Sequence, residues 1–165
     1  MKLTVSRRAL FISTAVLSLA VTVSGLPAIA LAADGTIKLG LVAPMSGPNA
    51  RYGAFSMHGA ELAVKDINDA GGIDGMKIEL LNADSQGTPV EGVSAARRLI
   101  DQDGVDFIIG DVSSSVTLAI QPVAEDAEVL LLNAASSNPK ITYQAGVGGF
   151  KWTYRNYPTD ENRAL

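Results

Sequence analysis

From residue 37 onward, short apolar runs alternate with longer stretches in which apolar residues recur every three or four positions. Ile37-Lys38-Leu39-Gly40-Leu41-Val42 predicts a first strand, closed by Pro44 and a Ser46-Gly47-Pro48-Asn49 loop. Met57, Ala60, Val64 and Ile67 then share one face of a helix over about 54–70, which Gly71-Gly72 stops. Residues 77–81 predict a second strand. In Thr88-Pro89-Val90-Glu91 a capping threonine precedes an acidic residue by three, with proline at the first helical position. The helix it opens runs to about 102, where Gly104 closes it. Residues 105–109 predict a third strand, and Phe107-Ile108-Ile109 suits a strand covered on both faces. Ser113-Ser114-Ser115 opens a third helix to about 127, bent at Pro122. A fourth strand follows at 129–132, a fifth at 151–155, and Thr159-Asp160-Glu161 starts a last helix.

Strands alternating with helices predict an α/β fold: a parallel sheet with helices on both faces and right-handed crossovers. In such sheets ligands bind past the carboxyl ends of the strands, at the switch point. The loops there are 43–53, 82–88, 110–115 and 133–139, and they collect the small hydroxyl residues Ser46, Ser113 to Ser115, and Ser136-Ser137. Hydroxyls and backbone N–H groups at a helix start suit an anion. No G-x-G-x-x-G and no G-x-x-x-x-G-K-[ST] accompanies them, so the pattern points to a small carboxylate-bearing solute rather than a nucleotide.

Ahead of this region lies a leader. Lys2, Arg7 and Arg8 precede a mostly apolar stretch over 9–23, then Gly25, Pro27 and Ala30-Leu31-Ala32. That order predicts a signal peptide over 1–32, cut after Ala32. Ser13, Thr14, Ser18, Thr22 and Ser24 dilute the apolar stretch and argue against a membrane anchor. Ser6-Arg7-Arg8-Ala9-Leu10-Phe11 also resembles a twin-arginine export motif.

All 17 acidic residues follow the leader and three of the 13 basic ones lie inside it, so 33–165 carries 10 basic against 17 acidic groups, a charge of −7. That balance argues against nucleic acid and against an anionic membrane surface as partners. The chain has no cysteine, which removes disulfides, thiolate metal sites, a cysteine nucleophile and a lipid-anchored cysteine.

Several strings, in order, resemble the branched-chain amino-acid (leucine/isoleucine/valine) ABC-transporter substrate-binding protein family. They are Gly40-Leu41-Val42-Ala43-Pro44-Met45-Ser46-Gly47-Pro48 with Tyr52-Gly53, and Gly59-Ala60-Glu61-Leu62-Ala63 with Ile67-Asn68 and Ala70-Gly71-Gly72-Ile73. Ile109-Gly110 with Ser113-Ser114-Ser115, then Asn138-Pro139, and Arg155 with Tyr157-Pro158-Thr159-Asp160-Glu161 continue the match. The resemblance implies a type I periplasmic-binding fold, two lobes closing over a ligand. Residues 33–165 would then form the N-terminal lobe, truncated, with the second lobe absent and fewer residues around Glu161-Asn162-Arg163 than the family carries.

The resemblance also implies site residues. Ser114 would bond the ligand's α-carboxylate, with Ser113 and Val112 beside it. Ala135 and Ser137 would offer a backbone carbonyl and a hydroxyl to the ammonium group, and Tyr52 would lie against the ligand side chain. Helix capping by one serine, an ordinary Ser/Asn/Pro turn, and a tyrosine covering its own loop are the alternatives. Asp84 and Asp111 follow strands and could line the cleft mouth, although Asp111 beside a carboxylate would be expected to point away. His58, the single histidine, reads as packing or surface.

The function implied is a non-enzymatic, extracytoplasmic solute-binding component of an amino-acid ABC importer. It would work in the periplasm, partnered by an amino acid and by permease subunits of the inner membrane, as a monomer when complete, with no cofactor and no metal. A sensor module on the same fold, binding amides, urea or amino acids, is the alternative. A serine hydrolase would need a general base and a G-x-S-x-G elbow, and Gly110-Asp111-Val112-Ser113 lacks that elbow.

Overall fold

The structure is a computed structural model and describes residues 35–143 and 150–163; the leader and its cleavage site lie outside them. β1 (Thr36–Ala43), β2 (Lys77–Asp84), β3 (Phe107–Gly110), β4 (Leu130–Asn133) and β5 (Thr153–Arg155) form one sheet in the order β2-β1-β3-β4-β5. Every neighbouring pair is parallel, as the strand–helix alternation predicts. The chain winds from β1 to β2 on one side, then crosses back to β3 on the other. The switch point therefore lies between β1 and β3. Register keeps the carboxyl ends level: Leu41 pairs with Ile109, Gly110 with Asn133, and Asn133 with Arg155.

The helices are α1 (Ala50–Asp69), α2 (Pro89–Arg97), α3 (Ser114–Asp126), α4 (Lys140–Tyr143) and α5 (Asp160–Arg163). A π-helical stretch, Arg98–Asp103, carries α2 on to Gly104, whose φ of 65° ends it in the left-handed conformation. Thr88 caps α2 through its Oγ1, which accepts the Glu91 N–H at 3.4 Å. The core lies under α2 and α3. Ala95, Ala96, Leu99, Val116, Ile120 and Ala124 pack there on Val42, Ala83, Ile108 and Leu131. Leu99, Ile108, Ile120 and Leu131 are wholly buried, and each such side chain contributes about 1.5–3 kcal/mol.

The opposite face is covered differently. α1 packs on β1 and β2. Its stripe of Met57, Ala60 and Val64 faces inward but is only half-buried, and Ile67 is exposed. Over β3 and β5 the face is open among the described residues, and Phe107 is 41% and Tyr154 56% exposed. The third strand is thus covered on the face of Ile108, while the other face is open at Phe107, so the expected cover on both faces is not met.

One boundary moves. α1 begins at Ala50 rather than near 54, because the turn runs straight into it: Ala50 N–H donates to the Gly47 carbonyl and Tyr52 N–H to the Asn49 carbonyl. Gly53 is no loop residue. It is buried in the first turn, where a Cβ would sit 2.0 Å from the Pro44 carbonyl oxygen. Glycine is required there by close approach, not by a turn. Tyr52 accordingly sits on a helix, not in a loop.

Candidate functional site

A cavity of about 370 Å³ opens past the carboxyl ends of the strands. Asn49 and Tyr52 reach it after β1, Val112 and Ser113 after β3, Ala135 and Ser137 after β4, and Tyr157 and Arg163 after β5. This is where a doubly wound sheet places a ligand, and the volume falls at the small end of the roughly 300–1,000 Å³ of ligand clefts. Five of the six residues expected from the sequence, Tyr52, Val112, Ser113, Ala135 and Ser137, meet here. Ser114 does not line the cavity. Its Oγ accepts the Asn138 N–H at 3.3 Å and so links the β3 and β4 loops.

The serines are not spent on capping. Ser113 holds the N-cap position of α3 with extended backbone, yet its side chain makes no capping bond. Its Oγ lies 3.0 Å from Ser115 Oγ, and its amide donates to Asp111 Oδ1 at 2.7 Å. A hydroxyl paired with another hydroxyl can bind a polar group but is not activated as a nucleophile.

Two aspartates hold the loops from behind. Asp84, at the end of β2, accepts from Met45 N–H (2.8 Å), Ser46 Oγ (2.6 Å) and Gln86 N–H (2.8 Å), tying the β1 and β2 loops together. Partial burial acts to raise its pKa, but the bonds from Ser46, Gln86 and Met45 outweigh it and hold the carboxyl below its usual range. Asp111 is 1% exposed and accepts from Ser85 Oγ at 2.5 Å. Burial pushes its carboxyl up, the Asp84 charge adds to that, and the bonds from Ser85 and Ser113 only partly offset it. Neither aspartate lines this cavity. Asp84 could have been expected at the cleft mouth and instead serves as a tether, whereas Asp111 points away, toward Ser85.

The β4 loop is pinned from three sides. Asn133 is buried; its Oδ1 accepts Ser136 N–H at 2.8 Å and its Nδ2 donates to the Ser136 carbonyl at 2.7 Å. Ser136 Oγ donates to the Asp111 carbonyl at 2.6 Å. Arg155 spends its guanidinium on the Ser136 carbonyl (3.1 Å), the Asn138 carbonyl (2.5 Å) and Thr142 Oγ1 (3.0 Å). Desolvation lowers the arginine's pKa, which still leaves it a cation at neutral pH.

Asn49, Tyr157 and Arg163 are lining residues that the sequence reading did not single out. The Arg163 guanidinium stands 5.8 Å from the Tyr157 ring centre, a cation–π distance. Among the described residues the cavity wall thus offers hydroxyls, two aromatic rings and one cation, and no carboxylate. His58 is exposed beside Glu61, away from the cavity. Among the described residues no group of three His, Cys, Asp or Glu side chains could hold a metal ion.

Fold and site together define a class: a doubly wound parallel α/β sheet with a cavity of about 370 Å³ at its switch point. Comparison with known proteins is specific within that class. The family model described as periplasmic binding protein matches residues 36–161, and the chain belongs to that family. It is 37% identical over 138 residues to an amino acid binding protein of Pseudomonas aeruginosa, covering 84% of this chain and 37% of that protein. It is also 37% identical over 127 residues to Leu/Ile/Val-binding protein homolog 1 of Brucella abortus, covering 77% and 33% respectively. Among solved structures it is similar to the branched-chain amino acid transporter substrate-binding protein LivJ of Streptococcus pneumoniae, determined with isoleucine. There the TM-score is 0.70 at 33% identity, over 76% of this chain and 34% of that one. The chain therefore spans about a third of the length of the relatives it matches.

Proposed function

We propose that the chain is the N-terminal lobe of an extracytoplasmic solute-binding component of an ABC importer for amino acids, branched-chain ones foremost. It captures the solute without chemistry, in the periplasm, and delivers it to permease subunits in the inner membrane. The observation that carries this reading is the convergence of Ser113, Ser137 and Tyr52 on one cavity beside the start of α3 that no carboxylate lines among the described residues. A carboxylate there finds hydroxyl donors at a positive helix end. The Ala135 carbonyl and the Ser137 hydroxyl are acceptors for an ammonium group, and the faces of Tyr52 and Tyr157 suit an apolar side chain. The relatives named for leucine, isoleucine and valine support the solute class.

The test is a chimera in which residues 35–163 replace the matching segment of the Pseudomonas aeruginosa relative. Calorimetric titration with leucine, isoleucine and valine should show binding, weakened by Ser113→Ala and by Ser137→Ala. Binding indifferent to both substitutions would sink the assignment.

A further inference from the structure

Asp111 is 1% exposed and, among the described residues, has no cationic partner. Asp84, from the end of β2, is the one charged group among the described residues that acts on it, and it is of like sign. The face of α1 toward it brings Phe55, Ser56 and Ala60, and the β4 loop brings Ala134 and Ala135, none of them titratable. A buried charge without a counter-ion works against stability. The sign follows from its carboxyl being pushed up: the folded state holds the proton more tightly than the unfolded one. Any stability this group contributes is therefore present at acid pH and lost as pH rises through its folded pKa. Stability alone does not account for a carboxylate at this position.

Its hydrogen bonds reach both solute-facing loops. Oδ2 is anchored by Ser85 Oγ, which in turn accepts Gly87 N–H at 3.2 Å. Oδ1 takes the Ser113 amide and so sets the turn into α3. The Asp111 carbonyl takes the hydroxyls of Ser136, at 2.6 Å, and of Thr117, at 3.1 Å. Ser136 lies between Ala135 and Ser137, the two residues of that loop on the cavity wall.

We propose that Asp111 is the positioning residue of the solute site. Its carboxylate fixes Ser113, and its carbonyl fixes the Ala135–Ser137 turn, so that one buried residue sets the spacing of both walls. Protonating the carboxylate weakens the bond from the Ser113 amide and loosens that spacing. The solute half of this inference rests on the function proposed above; the positioning half stands on the chain alone.

The experiment is a pH titration of backbone amides by nitrogen–proton correlation spectroscopy on the unliganded chain. Ser113, Ala135 and Ser137 should share one inflection above the ordinary carboxylate range, and Asp111→Asn should abolish it while the fold, followed by circular dichroism, melts no earlier at neutral pH. Met45, Ser46 and Gln86 should instead follow Asp84, with an inflection below that range. Separate titrations, or an inflection at Ser113 that survives Asp111→Asn, would overturn the proposal. In the chimera, Asp111→Asn should weaken leucine binding by on the order of tenfold, the loss of about one charge-assisted hydrogen bond. A wild-type chimera that ignores leucine would count against the proposed function, while the amide titration still decides the role of Asp111. Unchanged affinity in the variant of a leucine-binding chimera would count against Asp111.

Discussion

The seating of α1 on the β1 loop is testable with a pair of glycines on one helix. In Gly53→Ala the new Cβ would meet the Pro44 carbonyl oxygen at 2.0 Å and its carbon at 2.6 Å, far inside the roughly 3.5 Å of ordinary contact. Both partners are backbone, so no side chain can swing aside, and the first turn of α1 must shift by more than about 1 Å. Overpacking of this kind costs about 1–3 kcal/mol, and a clash with main chain belongs at the upper end. Alanine returns about 1 kcal/mol in helix propensity. The net is a loss of about 2 kcal/mol. Gly59, in the same helix, has nothing within 4 Å of an added Cβ. Gly59→Ala should gain up to about 1 kcal/mol from the same propensity term. The two variants should thus differ by about 3 kcal/mol, or on the order of 10 °C in melting midpoint for a domain of this size. Urea and thermal unfolding followed by circular dichroism measure this directly. Equal stabilities would refute the close approach of α1 to Pro44, and with it the placement of Asn49 and Tyr52 on the cavity wall.

Ser113→Ala in the chimera should weaken amino-acid binding by about 1.5–3 kcal/mol, the range for a hydrogen bond to a charged group; calorimetry showing no change would mean that the Ser113 hydroxyl serves only its pairing with Ser115. Glu125 accepts from the Lys151 and Trp152 amides, at 2.8 and 3.0 Å, and these bonds hold its carboxyl below the usual glutamate range. Its contribution to stability is therefore present above that range and lost as pH falls through the lowered pKa. Glu125→Gln should flatten that acid limb in melting curves taken across pH, and an unchanged limb would refute the bridge from α3 to β5. N-terminal sequencing of exported protein should begin at Ala33, and an intact leader in the membrane fraction would contradict cleavage after Ala32.

Hydrophobic periodicity was enough for four strands, three long helices and the parallel order, because each of those elements repeats its signal over several residues. It failed where one contact decides. Gly53 reads as a loop breaker until Pro44 is seen against it, so the start of α1 and the setting of Tyr52 were misplaced. Phe107 reads as core because its strand is apolar throughout, although its side chain is left 41% exposed. A run of three serines marks a site without saying which hydroxyl faces it. Successive helical residues turn about 100° apart, and that rotation sends Ser113 to the cavity and Ser114 to Asn138. The tethers were invisible for another reason. Ser85 meets Asp111 across 26 residues and Met45 meets Asp84 across 39, and no local pattern encodes a partner at that separation. Nothing local in the sequence marks the role of Arg155, and its grip on the Ser136 and Asn138 carbonyls emerges from the pairing of β5 beside β4.

If the cavity past β1, β3 and β4 is the solute site, this lobe holds only part of the contacts. Titrating the chain with leucine, isoleucine and valine while following its backbone amides tests both halves at once. Affinity should be weaker than micromolar, since a one-sided cleft leaves ligand hydrogen bonds in competition with water, and shifts should concentrate at Tyr52, Val112, Ser113, Ala135 and Ser137. Shifts centred elsewhere, such as the groove between α1 and the sheet, would contradict the site, and micromolar or tighter binding by the monomer would contradict the division of contacts between two lobes.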